Sequence, residues 1–121
     1  MSRRACNPEI SIVVLNYNGM RFLETCLKSL LSSTYKNFEI VIVDNASKDG
    51  SVEYLKKKYS NNEKVKIIQL DRNYGFAEGN NIGYRYTHPN SKFILFLNND
   101  TEVEEDCLDN FFKKRWCKIV Q

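Results

Sequence analysis

The sequence predicts an α/β fold, a mainly parallel sheet layered between helices, and three observations carry that expectation. Short apolar runs recur along the chain: Ile12-Val13-Val14-Leu15, Ile40-Val41-Ile42-Val43 and Phe93-Ile94-Leu95-Phe96-Leu97. Unbroken runs of this kind suit strands buried on both faces, as parallel sheets require. Segments with apolar residues at helical spacing separate them, the alternation of right-handed βαβ crossovers. Each run also stops abruptly at amides or a carboxylate, at Asn16-Tyr17-Asn18-Gly19, Asp44-Asn45 and Asn98-Asn99-Asp100. Ligands of open α/β sheets bind just outside the carboxyl ends of the strands. The repeated endings therefore predict one polar site along one rim.

Residues Met1–Pro8 read as a polar, basic leader. The first strand is expected over Glu9–Leu15, and Asn18-Gly19 turns the chain into a helix over Met20–Leu31. There Phe22, Leu23, Cys26, Leu27, Leu30 and Leu31 form a wide apolar stripe. A second strand covers Phe38–Val43. The turn formers Asp44 to Ser51 follow it, with Asp49 or Ser51 as cap of a helix over Val52–Tyr59. Lys56-Lys57-Lys58 falls at the end of that helix, where cations complement the helix dipole. The third strand, Val65–Leu70, alternates Lys64 and Lys66 with apolar neighbours and reads as an edge. A third helix over Phe76–Thr87, a fourth strand over Phe93–Leu97 and a last helix over Glu105–Arg115 complete the order. Cys107, Leu108, Phe111 and Phe112 are its expected core residues.

The 121 residues fit a single domain large enough to bury a core without disulfides. A net charge of +3, with acidic and basic residues interspersed, lacks the basic stripe that nucleic-acid binding demands. Cys6, Cys26, Cys107 and Cys117 show no C-x-x-C spacing, and the one histidine, His88, lies in a turn. A zinc site is not expected, and a reduced, cytoplasmic chain is. No apolar run approaches a membrane span; peripheral attachment at a membrane stays open.

Gly75, Gly79 and Gly83 lie on one helix face. Each weakens a helix by roughly 1 kcal/mol relative to alanine, so close helix–sheet packing, backbone approach to a ligand, or both must explain them. Their spacing is neither the G-x-G-x-x-G nor the Walker pattern. Taken singly, Asp44 or Asn98-Asn99-Asp100 reads as a turn; their joint placement on one rim is what points to a site. Glu105 and Asp106 suit a helix start in any protein, and Glu102 is a group that can support Asp100.

Four segments appear in order: Val13 to Gly19, Val43 to Ser51, Asn73 to Gly83 (Asn-Tyr-Gly-Phe-Ala-Glu-Gly-Asn-Asn-Ile-Gly) and Leu97-Asn98-Asn99-Asp100. Together they resemble the nucleotide-binding half of a family 2 glycosyltransferase of the GT-A fold. The resemblance runs to about Asp106. It implies a three-layer Rossmann-like domain with a sheet of order 3-2-1-4. It also implies a nucleoside diphosphate-sugar donor, Mg²⁺ or Mn²⁺, and a saccharide or lipid-linked acceptor, as in cell-wall or polysaccharide synthesis. Asn16, Tyr17 and Asn18 would line the nucleotide pocket, Asp44 would bond the base, and Asn73, Gly75 and Phe76 would lie against the nucleotide. Asn45, Asn80 and Asn99 complete the donor set. Asn98 would touch ribose or support the metal, and Asp100 would bind it. Asn98 stands where the family's D-x-D motif begins with Asp, a form that resembles rhamnosyl and related transferases.

The family's second half, which binds the acceptor and supplies a carboxylate base, has no match after Asp100. The expectation is therefore a truncated donor domain that acts weakly or not at all alone. Self-association, or a partner chain covering the fourth strand or the last helix, is expected with it. The rival reading is a non-catalytic nucleotide-sugar-binding or scaffolding module. A phospho-receiver would need acidic residues where Asn16 and Asn18 stand. A nucleotidyltransferase would need a glycine-rich basic loop in place of Asn18-Gly19-Met20-Arg21.

Overall fold

A computed structural model describes residues 7–112 and 119–120. Most of the expected leader and the expected end of the last helix, Lys113 to Arg115, fall outside that range. Four strands, β1 (Ile10–Asn16), β2 (Phe38–Asp44), β3 (Val65–Gln69) and β4 (Phe93–Asn98), form a sheet of order β3-β2-β1-β4. Every pairing in it is parallel. In register, Asn16 stands opposite Asp44, and Leu15 stands opposite Asn98, so the polar endings meet on one rim.

Alternation along the strands divides the core between two sheet faces. Ile12, Val14, Ile40 and Ile42 face α1 (Met20–Leu31) and α2 (Ser51–Tyr59), which contribute Leu23, Cys26, Leu27, Leu30 and Leu55. Val13, Val41 and Val43 face the other way, together with half-buried Leu15, Ile68 and Ile94. On that side α3 (Phe76–Arg85) lies so close that a Cβ on Gly83 would sit 2.6 Å from Val13 and 2.7 Å from Val43. A Cβ on Gly79 would come within 2.7 Å of Leu15. Close packing thus accounts for both glycines. Gly75, at φ 88°, instead turns the chain into α3.

Several expectations need correction. The fourth strand is not buried on both faces: it ends the sheet, and Phe93 and Phe96 are 41% and 48% exposed. Its apolar run marks a strand whose second neighbour is absent among the described residues. A short strand, β5 (Glu102–Val103), was not expected; it pairs antiparallel with β6 (Ile119–Val120). The last helix, α4, is described over Cys107–Phe112. Cys107 and Leu108 are buried in it as expected, whereas Phe111 is 52% exposed and meets Phe93 edge-on at 5.7 Å. Cys107 is disulfide-bonded, so the all-reduced expectation fails for it; its partner lies outside the described residues.

Asp49 does not cap α2 through its side chain in the usual way, because Gly50 occupies the cap position at φ 89°. Its carboxylate instead ties two helix starts together, accepting from the Met20 N–H at 2.9 Å and from the Ser51 N–H at 3.0 Å. What burial there is opposes the charge, but these bonds and the Ser51 hydroxyl outweigh it and hold the carboxyl below the usual aspartate value. A depressed carboxyl stabilises the fold above its unfolded-state pKa and loses that effect as pH falls through its folded-state value. Wild type should therefore melt above Asp49→Asn at neutral pH, with the gap closing on acidification below about pH 4. A gap independent of pH in thermal melts would refute the charge's role.

Candidate functional site

The rim expected from the strand endings carries a cleft of about 380 Å³ lined by Leu15, Tyr17, Asn45, Asn73, Gly75, Phe76, Asn98, Asn99 and Asp100. It opens at the carboxyl ends of β1, β2 and β4. Two exposed rings, Tyr17 and Phe76 (50% and 67%), stand at it. Exposed aromatic faces of this kind suit stacking against a planar or sugar ring. Asp100 supplies the carboxylate, and it is exposed.

Asn45 fastens the far wall. It is buried, its Oδ1 accepts from the Tyr74 N–H at 3.0 Å, and its Nδ2 donates to the Gly75 carbonyl at 3.1 Å. Asn73 Oδ1 accepts from the Gly75 N–H at 2.8 Å, so the loop before α3 is held at both ends. Tyr74 donates its hydroxyl to Asp71 at 2.7 Å while the Arg72 guanidinium lies 5.0 Å from its ring. These three residues form the outer flank of that wall.

Asn16 and Asp44 lie beneath the cleft and not on its wall; both are 0% exposed. Asn16 Nδ2 donates to Asp44 Oδ1 at 2.9 Å, and Asp44 Oδ2 accepts from the Ser47 N–H at 2.8 Å. Neither oxygen of Asp44 is thus presented to the cleft, which leaves its neighbour Asn45 at the wall. Asn18 is exposed at φ 51°, outside the lining, and joins the β1 loop to the β2 loop. It accepts from the Lys48 N–H at 2.8 Å, and its own N–H donates to Ser47 Oγ at 2.7 Å. Asn80 is half-buried on α3 and does not reach the cleft.

Ser47 and Gly19 were missed as site residues. Ser47 follows Ala46, which adopts φ 62°, a left-handed conformation that turns the Ser47 N–H back to Asp44. Gly19 faces Asn99: a Cβ there would lie 1.8 Å from Asn99 Nδ2. The Asx-type turn in Asp44-Asn45-Ala46-Ser47 and the glycine after Asn18 were the available signals.

No group of three His, Cys, Asp or Glu among the described residues is placed to hold a metal alone. The rim fits a cation that arrives with its ligand, since Mg²⁺ keeps several waters and takes one or two protein carboxylates beside substrate phosphates. Asp100, flanked by the amides of Asn98 and Asn99, meets that description. Cys26 lines a smaller recess beside Asp100, but burial, and then the Asp100 charge, push its thiol up to about 12. It is no nucleophile at neutral pH.

A parallel 3-2-1-4 sheet with a polar cleft at its carboxyl edge is an open α/β domain of the kind that binds its ligand outside the strand ends. The comparisons agree. The sequence model of glycosyl transferase family 2 matches residues 11–114, and the chain belongs to that family. Glycosyltransferase GlyA of Streptococcus pneumoniae is 31% identical over 106 residues, which is 88% of this chain and 15% of that one. The putative teichuronic acid biosynthesis glycosyltransferase TuaG of Bacillus subtilis is 26% identical over 113 residues, 91% of this chain and 44% of that one. The structure of S. aureus TarS 1-349 in complex with UDP-GlcNAc superposes with a TM-score of 0.78 at 26% identity, covering 87% of this chain and 30% of that one. The chain thus spans less than half the length of these relatives.

Proposed function

We propose that this chain is the donor-binding part of a glycosyltransferase, taking a nucleoside diphosphate-sugar and a divalent cation, Mg²⁺ or Mn²⁺, into the rim cleft. The observation that carries this reading is the convergence of Tyr17, Asn45, Asn73, Gly75, Phe76 and Asn98 to Asp100 on one cleft. The base lies at the Asn45 end, where the Tyr17 and Phe76 rings offer stacking surfaces. The diphosphate lies toward Asp100. A cation bound there would neutralise charge on the departing nucleoside diphosphate.

The transferred sugar goes to a hydroxyl of a saccharide or lipid-linked acceptor, in cell-wall or polysaccharide assembly. The name of TuaG, a putative teichuronic acid biosynthesis glycosyltransferase, supports that class, and the UDP-GlcNAc bound by TarS supports the donor. An acceptor base is assigned to no residue of this chain, so the chain alone binds donor and transfers poorly. The exposed edge of β4, with Phe93 and Phe96, is where a second copy or another chain docks. No helix among the described residues is long and apolar enough to cross a membrane; the setting we favour is the cytoplasm or the membrane surface facing it.

Calorimetric titration with UDP, GDP and dTDP, with and without Mn²⁺, tests the reading. Wild type should bind at least one of them more tightly with Mn²⁺, and Asp100→Ala should lose that increment. An increment that survives in Asp100→Ala would remove the metal from the β4 rim.

A further inference from the structure

The buried amide of Asn16 has both ends engaged. Its Nδ2 donates to Asp44 Oδ1 at 2.9 Å and, more weakly, to Ser47 Oγ at 3.3 Å. Its Oδ1 accepts from Asn99 Nδ2 at 2.8 Å. One side chain therefore links the endings of β1, β2 and β4. The chemistry fixes a direction along this chain. A carboxylate can only accept, so Asp44 requires the N–H end of Asn16. The oxygen end of Asn16 is then left for Asn99, which must answer with its own N–H. Asn99 is half-buried and lines the cleft, and its Oδ1 carries no hydrogen bond among the described residues.

We propose that Asn16 is a positioning residue, set by Asp44, that holds the Asn99 amide with its oxygen turned to the ligand beside Asp100. The proposal rests on the donor-site reading. It deepens that reading by naming a second hard oxygen for a divalent cation carried by a nucleoside diphosphate. That oxygen matters here because Asn98 brings no charge to the rim. Carbonyl and carboxylate oxygens together are the ligands such cations prefer. Gly19 supplies an independent observation: the space a Cβ would fill there is taken by the Asn99 amide, 1.8 Å from the Cβ position, and by Asn16 Oδ1 at 2.5 Å. The pocket for this amide is built into the first turn of the fold.

The test compares UDP affinity with and without Mn²⁺ in wild type, Asn16→Ala, Asn99→Ala and the paired variant Asn16→Asp with Asp44→Asn. Groups that orient metal ligands typically matter by about ten- to a hundredfold in metal affinity. Asn16→Ala and Asn99→Ala should each cut the Mn²⁺-dependent part of UDP binding by about tenfold or more, with metal-free binding little changed. The paired variant remakes the bonds to residue 44 and to Asn99, with the carboxylate accepting from two amides, and should recover wild-type Mn²⁺ dependence within about threefold, far inside the loss it reverses. Asn99→Ala, on a half-buried loop, keeps the proposal falsifiable if Asn16→Ala does not fold. An unchanged Mn²⁺ increment in folded Asn16→Ala or Asn99→Ala overturns the inference and leaves the donor reading standing. No Mn²⁺-dependent binding of UDP, GDP or dTDP by wild type defeats both.

Discussion

Leu27→Ala is expected to destabilise the fold by about 2–5 kcal/mol, the range for deleting a fully buried leucine side chain. Leu27 is 0% exposed and sits in the middle of α1, within the cluster that joins Ile12, Val14, Ile40 and Ile42 of the sheet to Leu55 of α2 and Leu108 of α4. These partners are anchored on four different elements. The gap left by alanine cannot close by a simple shift of one helix, and residual cavity volume is what makes such substitutions costly. Small domains have only about 5–15 kcal/mol in hand, so this single change removes a large share. Urea denaturation checks it: the midpoint should fall with little change in slope. A loss below about 1 kcal/mol, the level of ordinary surface substitutions and small core trims, would mean the α1–sheet interface is looser than described.

Gly19→Ala should cost less stability and act chiefly on the Mn²⁺-dependent part of ligand binding. The backbone at Gly19 has φ −107° and ψ 30°, which alanine can adopt, but alanine is a much weaker helix cap than glycine, so the start of α1 loses on the order of 0.5–1 kcal/mol. The larger difficulty is steric, and it falls on two bonded amides: the Asn99 Nδ2 lies 1.8 Å and the buried Asn16 Oδ1 2.5 Å from the added Cβ. With a Cβ 1.8 Å from its Nδ2, the Asn99 amide must swing away, and it takes with it the bond to Asn16. The melting temperature should fall by roughly 5–15 °C, since the weaker cap and the broken buried bond together cost about 1–2 kcal/mol and a small domain shifts about 4–8 °C per kcal/mol. Mn²⁺-dependent UDP binding should fall about ten- to a hundredfold. Full retention of that binding would show that the turn at Asn98–Asp100 does not depend on its contact with the first loop.

What the sequence disclosed followed the strength of its patterns. Ile40-Val41-Ile42-Val43 and the stripe of Leu23, Cys26, Leu27 and Leu30 placed β2 and α1 within a residue of their ends, and the polar endings placed the rim. Phe93 to Leu97 has the same apolar pattern yet lies at an edge, because an apolar run reports what a strand is built to be covered by, and not which neighbour is present. Glu102–Val103 is too short for any period to appear. Phe111 has the helical spacing of a core residue, but it packs on Phe93 at the exposed start of β4 and so stays half open to solvent. At the site, strand endings identified the right residues and could not rank their depth. Asn16 and Asp44 are separated from exposed Tyr17 and buried Asn45 by one position each, and a step of one residue reverses the direction of a strand side chain.

Ala46 shows how the domain divides its resources. Left-handed backbone is unfavourable for a residue with a Cβ by roughly 1–2 kcal/mol, and glycine or asparagine would adopt φ 62° more comfortably. The return is local rigidity, since the turned-back Ser47 N–H completes the acceptor set of Asp44. A glycine there would hold the same turn with less strain, so stability can be raised at a residue that never touches the ligand while the Asp44 carboxylate still sets the polarity of Asn16.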